Sequence, residues 1–139
     1  MTPDDLAALH ARCFTIPRPW SAAEITDVLT MPGAFLLTHR AGFLIGRVIA
    51  NEAELLTVAV SPDARRQGVG RDLLRRFTHA AREKGAACAF LEVAHDNAAA
   101  RALYHGAGWE QVGRRKRYYA GHIDAVIMRV TLGSDTKCG

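Results

Sequence analysis

Long apolar runs, paired cysteines and internal repeats are all missing from this 139-residue chain. No apolar stretch approaches the roughly 18 residues that a membrane-spanning helix needs, and the start, M-T-P-D-D, lacks the basic and apolar parts of a signal peptide. The three cysteines are widely spaced and none lies in a C-x-x-C pair, so we expect reduced thiols. The six histidines lack the spacing of metal ligands. These absences predict a soluble cytoplasmic protein with no metal and no membrane partner.

The length and composition are typical of one folded unit. Domains contain roughly 100–200 residues, so we expect a single domain over 1–139, and the 49% of apolar residues is enough for a core. The net charge is only +4, but residues 65–84 contain seven basic side chains against two acidic ones, and 114–117 form a second basic run. Concentrated positive charge of this kind attracts an anionic ligand.

Periodicity and turn residues predict alternating helices and strands. Asp4 or Asp5 can cap a first helix, and Ser21 with Glu24 forms an S-x-x-E capping box for a second one. An amphipathic helix follows the glycines at 68 and 70 and ends at Gly85. We expect a short helix over 97–105 and strands over 34–38, 43–50, 54–61, 86–93, 109–119 and 123–130. The order α, α, β, β, β, α, β, α, β, β favours an α+β fold, with a mixed central sheet and helices on both faces.

A glycine turn between a buried strand and the longest helix is the clearest candidate for ligand binding. In R-R-Q-G-V-G, Gly68 and Gly70 let the backbone approach a ligand, and the first N–H groups of the helix can bind a phosphate or pyrophosphate. A Rossmann fingerprint would need glycine where the chain has Leu73, and a P-loop would need Gly-Lys-Ser/Thr. Neither nucleotide motif is present. The motif alone is also compatible with a simpler alternative, in which the glycines only shape a turn and the arginines form a solvated face.

The pattern R-x-x-G-x-G directly after S-P-D resembles the GNAT acetyltransferase superfamily, in which this loop is implied to hold the pyrophosphate of acetyl-CoA. Further motifs look like those of the RimI group, the ribosomal-protein-alanine N-acetyltransferases. They are P-W-S at 19–21, L-E-V at 91–93, N-A-A-A at 97–100, A-L-Y at 102–104, R-Y-Y at 117–119 and G-H-I-D-A at 121–125. The resemblance covers nearly the whole chain and implies the GNAT acyl-CoA N-acyltransferase fold.

This resemblance implies roles for individual residues. It implies that Glu92 is the general base and that Tyr104, twelve residues later, is the general acid. It implies that acetyl-CoA is the cosubstrate, held by Val58, Ala59, Val60, Arg65, Arg66, Gln67, Gly68, Val69, Gly70, Arg71 and Asn97. It also implies that the acceptor peptide lies against Trp20, Tyr118 and Tyr119.

Acetyl transfer to an amine is chemically compatible with these residue types. An α-amino group, with a pKa of about 7.7–8.0, loses its proton to a modest base more readily than a lysine at about 10.4. Glu92 interrupts an apolar run, so if the face of the strand that carries it is buried, loss of water around the carboxylate would make it a stronger base. The alternative is that Glu92 is a carboxylate in water at the end of the strand. A phenol can protonate a departing thiolate, although an aromatic ring at Tyr104 is also typical of packing. Cys88 has no neighbouring histidine, so we expect direct transfer rather than an acetyl-cysteine.

The predicted reaction is transfer of an acetyl group to the N-terminal amine of a protein, with alanine as the expected first residue and a ribosomal protein as the expected substrate. GNAT relatives also acetylate lysines, polyamines or small amines, so another amine remains an alternative. A non-catalytic module that binds acyl-CoA or RNA is the second alternative. The basic and aromatic run 114–119 could suggest RNA, but we do not expect direct nucleic-acid binding. Family members usually have a strand before the first helix, so we expect the acceptor-side wall to be incomplete or built differently here.

Overall fold

The computed structural model describes residues 1–13, 19–119, 121 and 123–133. The helices are α1 (Pro3–Cys13), α2 (Ala22–Leu29), α3 (Val69–Glu83) and α4 (Ala98–Gly106), and a short 3-10 turn covers Pro62–Ala64. The strands are β1 (Ala34–His39), β2 (Gly42–Ile49), β3 (Glu52–Val60), β4 (Cys88–Ala94), β5 (Glu110–Tyr119) and β6 (Ile123–Thr131). The predicted order of elements is confirmed. The largest differences are that β3 begins two residues early, where Glu52 pairs with Ile49, and that β4 begins two residues late.

The first two helices begin with side chains that satisfy free backbone N–H groups. At α2 the prediction is confirmed: Ser21 Oγ accepts from the Glu24 N–H at 3.1 Å, and the Glu24 carboxylate accepts from the Ser21 N–H at 3.1 Å. At α1 the predicted cap is wrong. Thr2 Oγ1 accepts from the Asp5 N–H at 3.1 Å, and Asp5 accepts from the Thr2 N–H at 2.9 Å. Asp5 is thus the third helical residue, not the cap, and these hydrogen bonds hold its pKa below the ordinary value.

The described strands form one six-stranded sheet in the order β1-β2-β3-β4-β6-β5, in which only β3 and β4 are parallel. The β3–β4 pairing stops after three residue pairs, the last of which joins Glu54 to Phe90. A bulge at Leu56, between the pairs Gly46–Leu55 and Ile45–Thr57, bends β3 at this level. A gap therefore opens between residues 55–60 and 91–94. We call this gap the wedge.

Apolar clusters cover both faces of the sheet, as predicted. Helix α3 packs on one face, where the buried residues include Leu55, Leu74, Phe77, Leu91 and Trp109. Helices α1 and α2 pack on the other face, with Leu6, Ile25, Phe43, Ile45 and Ala59. Within the described ranges, no helix is both long and apolar enough to cross a membrane.

Four aromatic rings pack in a row on the α3 face of the sheet and connect its two halves, β1–β3 and β4–β6. The ring of Phe35 on β1 lies 5.9 Å from that of Phe77 on α3, which lies 6.2 Å from the ring of Trp109. The ring of Tyr104 on α4 follows at 6.1 Å from Trp109. These four side chains bridge β1, α3 and α4, so packing joins the two halves where backbone pairing is short.

Candidate active site

The wedge exposes two strand edges to a ligand. Residues 57–60 of β3 pair with β2 on one side, and in the described part of the sheet no strand pairs with them on the other side. The predicted cofactor residues Val58, Ala59 and Val60 lie on this edge. The Val60 carbonyl accepts from the Cys13 thiol at 3.2 Å. An open strand edge offers backbone N–H and C=O groups to an extended ligand that carries amides.

The loop after β3 turns into α3 through two left-handed residues. Gly68 is the N-cap of α3 with φ of 79°, and Arg66 has φ of 67°. A non-glycine residue in this region costs about 1–2 kcal/mol, and such strain clusters at ligand-binding turns. No side chain among the described residues caps the helix. Its first N–H groups are therefore open to an anion, which the helix dipole also favours.

The charge around this helix start is uncompensated. Arg65, Arg66 and Arg71 are exposed, and we find no hydrogen bond or ion pair of their side chains within the described residues. Farther along the helix, Arg75 lies 2.6 Å and Arg76 3.9 Å from Asp72. The basic segment thus has a middle whose charge is partly compensated by Asp72 and an uncompensated positive end, an arrangement that favours an anion site over a uniformly solvated face.

Gly70 allows the loop, the end of β3 and α4 to come together. A Cβ atom at Gly70 would lie 3.1 Å from Leu103 Cδ2 and 3.8 Å from Val60 Cγ2. The glycine therefore permits close packing of the α3 N-terminus on α4, the helix that carries Tyr104. The structure brings the predicted loop and strand residues to one place.

Glu92 lies on β4 at the level of the wedge, opposite Ile127 of β6. Its neighbours Leu91 and Val93 are buried on the α3 face, so strand alternation directs Glu92 to the α1–α2 face. Its Oε1 lies 3.0 Å from Arg115 Nε, and its side chain is 29% exposed. The residue as a whole is more exposed than the side chain, so the backbone also faces solvent. The burial considered from the apolar run is not found, because β3 and β4 separate here.

Tyr104 lies on the opposite side of the sheet. It is only 6% exposed and packs beside Trp109 in the α3-side core. This burial agrees with the packing role that the sequence left open, and α4 holds the residue next to Leu103 and the glycine loop. Glu92 and Tyr104 therefore lie on different faces of the sheet, and Tyr104 directly follows Leu103, the α4 residue that lies near Gly70.

Asn97 is the N-cap of α4, and its Oδ1 accepts from the Ala100 N–H at 3.1 Å. This hydrogen bond gives Asn97 a structural role, because it satisfies one backbone N–H at the start of α4. The side-chain NH₂ group of Asn97 is a donor and takes no part in that hydrogen bond.

The predicted acceptor residues occupy separate positions on the α1–α2 side and on the β5–β6 hairpin. Trp20 stacks on His10, with ring centroids 5.3 Å apart, and is half-buried. Tyr118 is 52% exposed, and its ring centroid lies 5.3 Å from Arg115 Cζ. Tyr119 ends β5, and its side chain lies outside the described part of the structure.

His10 is a buried residue that the sequence reasoning missed. It is 1% exposed, its Nδ1 accepts from the Trp20 N–H at 3.0 Å, and its Nε2 lies 2.9 Å from Thr57 Oγ1. A ring that accepts at Nδ1 carries its proton on Nε2 and donates it to Thr57. Burial lowers the pKa of His10 to about 4. Its spacing of four from Leu6, on the buried stripe of α1, was the available signal.

Two other chemistries find little support in the geometry. Cys88 is fully buried at the start of β4, paired with Glu52 and Thr131, four residues before Glu92. Among the described residues, no three or more His, Cys, Asp or Glu side chains lie close enough together to hold a metal ion.

Comparison with known proteins gives a consistent set of similarities. The model of the acetyltransferase (GNAT) family matches residues 4–109. The [ribosomal protein bS18]-alanine N-acetyltransferase of Escherichia coli K12 is 41% identical over 140 aligned residues, which cover 94% of this chain and 93% of the relative. The N-alpha-acetyltransferase RimI of Mycobacterium tuberculosis is 35% identical over 133 residues, covering 88% and 82%.

Solved structures show the same similarity in three dimensions. The crystal structure of the ribosomal-protein-S18-alanine N-acetyltransferase from Escherichia coli superposes with a TM-score of 0.81 and 32% identity, covering 95% of this chain and 90% of that one. The fold therefore matches over nearly the whole length.

Proposed function

The chain belongs to the GNAT family of acetyltransferases, and on that premise we propose that it transfers the acetyl group of acetyl-CoA to the N-terminal amine of a protein. The proposed acceptor is a ribosomal protein of the S18 type with alanine as its first residue. The names of the two curated relatives support an α-amine rather than a lysine or a small amine. We place the reaction in the cytoplasm, where such an acceptor is synthesised.

The observation that carries the proposal is the junction of an open strand edge with a free, positively charged helix start. Acetyl-CoA has a pyrophosphate at one end of its pantetheine arm and a thioester at the other. The uncapped α3 N-terminus, with Arg65, Arg66 and Arg71 around it, suits the pyrophosphate. The edge formed by 58–60 suits the two amides of the pantetheine arm, which leads the thioester into the wedge.

The remaining loop residues act in this proposal through their backbone. Gln67, Gly68, Val69 and Gly70 present N–H groups to the phosphates, and Gly68 and Gly70 keep side chains out of the approach. Asn97 donates from its side-chain NH₂ group to the cofactor while its oxygen caps α4.

The proposed chemistry uses the two faces of the wedge. On the α1–α2 face, Glu92 takes a proton from the acceptor amine, and the neutral nitrogen attacks the thioester carbon. A backbone N–H on the β3 edge stabilises the oxyanion of the tetrahedral intermediate. When the carbon–sulfur bond breaks, Tyr104 donates its proton to the departing thiolate and recovers one from the attacking nitrogen, which keeps a single hydrogen in the amide product. Glu92 then releases the proton that it took to solvent. The products are the N-acetylated protein and CoA, and no acyl-enzyme forms.

The acceptor approaches from the face that carries Glu92. Trp20, held by His10, and Tyr118 on the hairpin form the proposed walls of the acceptor groove. Tyr119 remains assigned to the acceptor by the sequence resemblance alone. Separate walls leave room for an extended peptide whose first residue reaches the wedge.

Steady-state acetylation of a synthetic peptide with an N-terminal alanine tests the proposal. We expect Glu92→Gln and Tyr104→Phe each to lower kcat about 10²–10⁴-fold while the Kd for acetyl-CoA stays unchanged. Glu110→Gln is the matched control, because this carboxylate lies on the outer strand β5, 3.8 Å from Arg129, and we expect it to leave kcat intact.

The outcomes separate the alternatives. Tight acetyl-CoA binding without turnover on any amine would favour a binding module. Faster acetylation of an internal lysine in an N-terminally blocked peptide would show that the assigned acceptor is wrong.

A further inference from the structure

Arg115 reaches across the sheet to the proposed base. Arg115 pairs with Ala125 of β6, whereas Glu92 on β4 pairs with Ile127 of the same strand. Strand alternation places all four on the α1–α2 face, so the arginine side chain must pass over β6 to bring Nε to within 3.0 Å of the carboxylate. Ala125 is fully buried and small, and it leaves room for that passage.

The same guanidinium also contacts the proposed acceptor groove. Arg115 Cζ lies 5.3 Å from the centroid of the Tyr118 ring, within the range of a cation–π contact. One side chain thus touches both the group assigned to proton transfer and a residue assigned to the acceptor.

The neighbouring arginine has a different task. Arg114 Nε lies 2.6 Å from Asp124, which also accepts from the Arg117 N–H at 2.8 Å. These hydrogen bonds lower the pKa of Asp124, the Arg117 backbone bond being the larger cause. Arg114 pairs with Val126 and therefore lies on the other face. The Arg114–Asp124 ion pair stabilises the β5–β6 hairpin, whereas Arg115 lies on the face that carries Glu92.

We propose that Arg115 is a positioning residue, which holds the Glu92 carboxylate at the mouth of the wedge and couples its orientation to Tyr118. This inference rests on the function proposed above. A partly exposed glutamate on a separated strand has several rotamers available, and only some direct an oxygen towards an amine at the thioester. The ion pair and the ring contact restrict those rotamers, and a misplaced catalytic group can cost up to about 10²-fold in rate.

Stability is not the main role of this contact. Arg115 is 55% exposed at its side chain, and solvent-exposed ion pairs contribute little to the stability of a fold. Removal of Arg115 should therefore leave a folded protein whose kinetics can be measured.

The experiment compares Arg115→Ala, Arg115→Lys and the control Arg114→Ala, each with and without Glu92→Gln, in the peptide assay. We expect Arg115→Ala to lower kcat about 10–100-fold, with a smaller effect on the KM for acetyl-CoA. Arg115→Lys should recover part of kcat, because it restores the charge. In the Glu92→Gln background, Arg115→Ala should change kcat less than twofold, since both changes remove the same arrangement.

Several results would overturn the inference. One is a rise in peptide KM with unchanged kcat, which would make Arg115 only a wall of the groove. Others are an equal loss in Arg114→Ala, or losses that multiply in the double variant. If Glu92→Gln alone leaves kcat unchanged, or if the wild type is inactive, the proposed function fails, and the inference fails with it. If Glu92→Gln lowers kcat as expected but Arg115→Ala leaves kcat unchanged, the role of Arg115 is refuted while the proposed function stands.

Discussion

Replacing His10 by glutamine should change the pH dependence of stability more than any other histidine substitution in the described part of the chain. The ring is buried between α1 and β3, and both of its nitrogens are hydrogen-bonded. Protonation would put a proton on Nδ1, break its bond from the Trp20 N–H and place a charge in an apolar cluster. Glutamine keeps an acceptor and a donor at this position but does not titrate.

The expected magnitude follows from the pKa of His10. Burial lowers this pKa from 6.5 to about 4, which at about 1.4 kcal/mol per pKa unit corresponds to ~3 kcal/mol. Relaxation around a protonated ring reduces the observable part to about 2 kcal/mol. Between the two pKa values the unfolded chain binds more protons than the folded one, so the free energy of unfolding rises with pH. The contribution of the neutral ring is complete above pH 6.5 and is lost as the pH falls towards 4.

Urea unfolding at a series of pH values from 4 to 7 measures this effect. The difference in free energy of unfolding between wild type and His10→Gln should shrink by about 2 kcal/mol from pH 7 to pH 4. His79→Gln is the matched control, because His79 is 69% exposed at its side chain and pairs with Glu83, and it should follow the wild-type slope. Parallel curves for wild type and His10→Gln would refute the reasoning.

Two further substitutions test the packing and the loop. Gly46→Ala would place Cβ 2.7 Å from both Phe35 Cζ and Phe77 Cε1, so we expect it to lower the free energy of unfolding by about 1–3 kcal/mol in thermal or urea unfolding. The control Gly113→Ala would place Cβ no closer than 3.3 Å to another side chain and should lower the free energy of unfolding less. Equal losses in the two variants would contradict this account. Arg66→Gly removes an arginine that is held in the strained left-handed region with φ of 67°, so we expect the free energy of unfolding not to fall. The Kd for acetyl-CoA, measured by calorimetry, should rise about tenfold because a positive charge is lost. An unchanged Kd would show that Arg66 does not belong to the cofactor site.

Local signals explain why the element order was predictable. The capping box at Ser21 and Glu24, the stop at Gly85 and the apolar stripe of α3 each depend on residues close in sequence. The cap of α1 is also encoded locally, by the T-x-x-D motif at Thr2 and Asp5, but the two acidic residues that follow Pro3 are themselves common caps and suggested a later start.

Features that depend on distant pairing were not predictable. The apolar run at 89–93 correctly indicated a strand, but it could not show that β3 leaves β4 after Glu54 and Phe90, and so it could not show that Glu92 is exposed. The contact of Glu92 with Arg115 joins residues far apart in sequence and needs β6 between them. The R-x-x-G-x-G loop was found because its residues are contiguous, whereas the wedge is a property of three strands together.

The aromatic series has a consequence for how this site could evolve. Because the β3–β4 pairing ends after three residue pairs, the packed rings of Phe35, Phe77, Trp109 and Tyr104 are contacts that join the strands on either side of the wedge. A change of ring size deep in the core would alter the width of an opening at the surface. Acceptor preference can therefore change through the volume of Phe35, Phe77 or Trp109, while the residues assigned to acetyl-CoA and the acceptor stay the same.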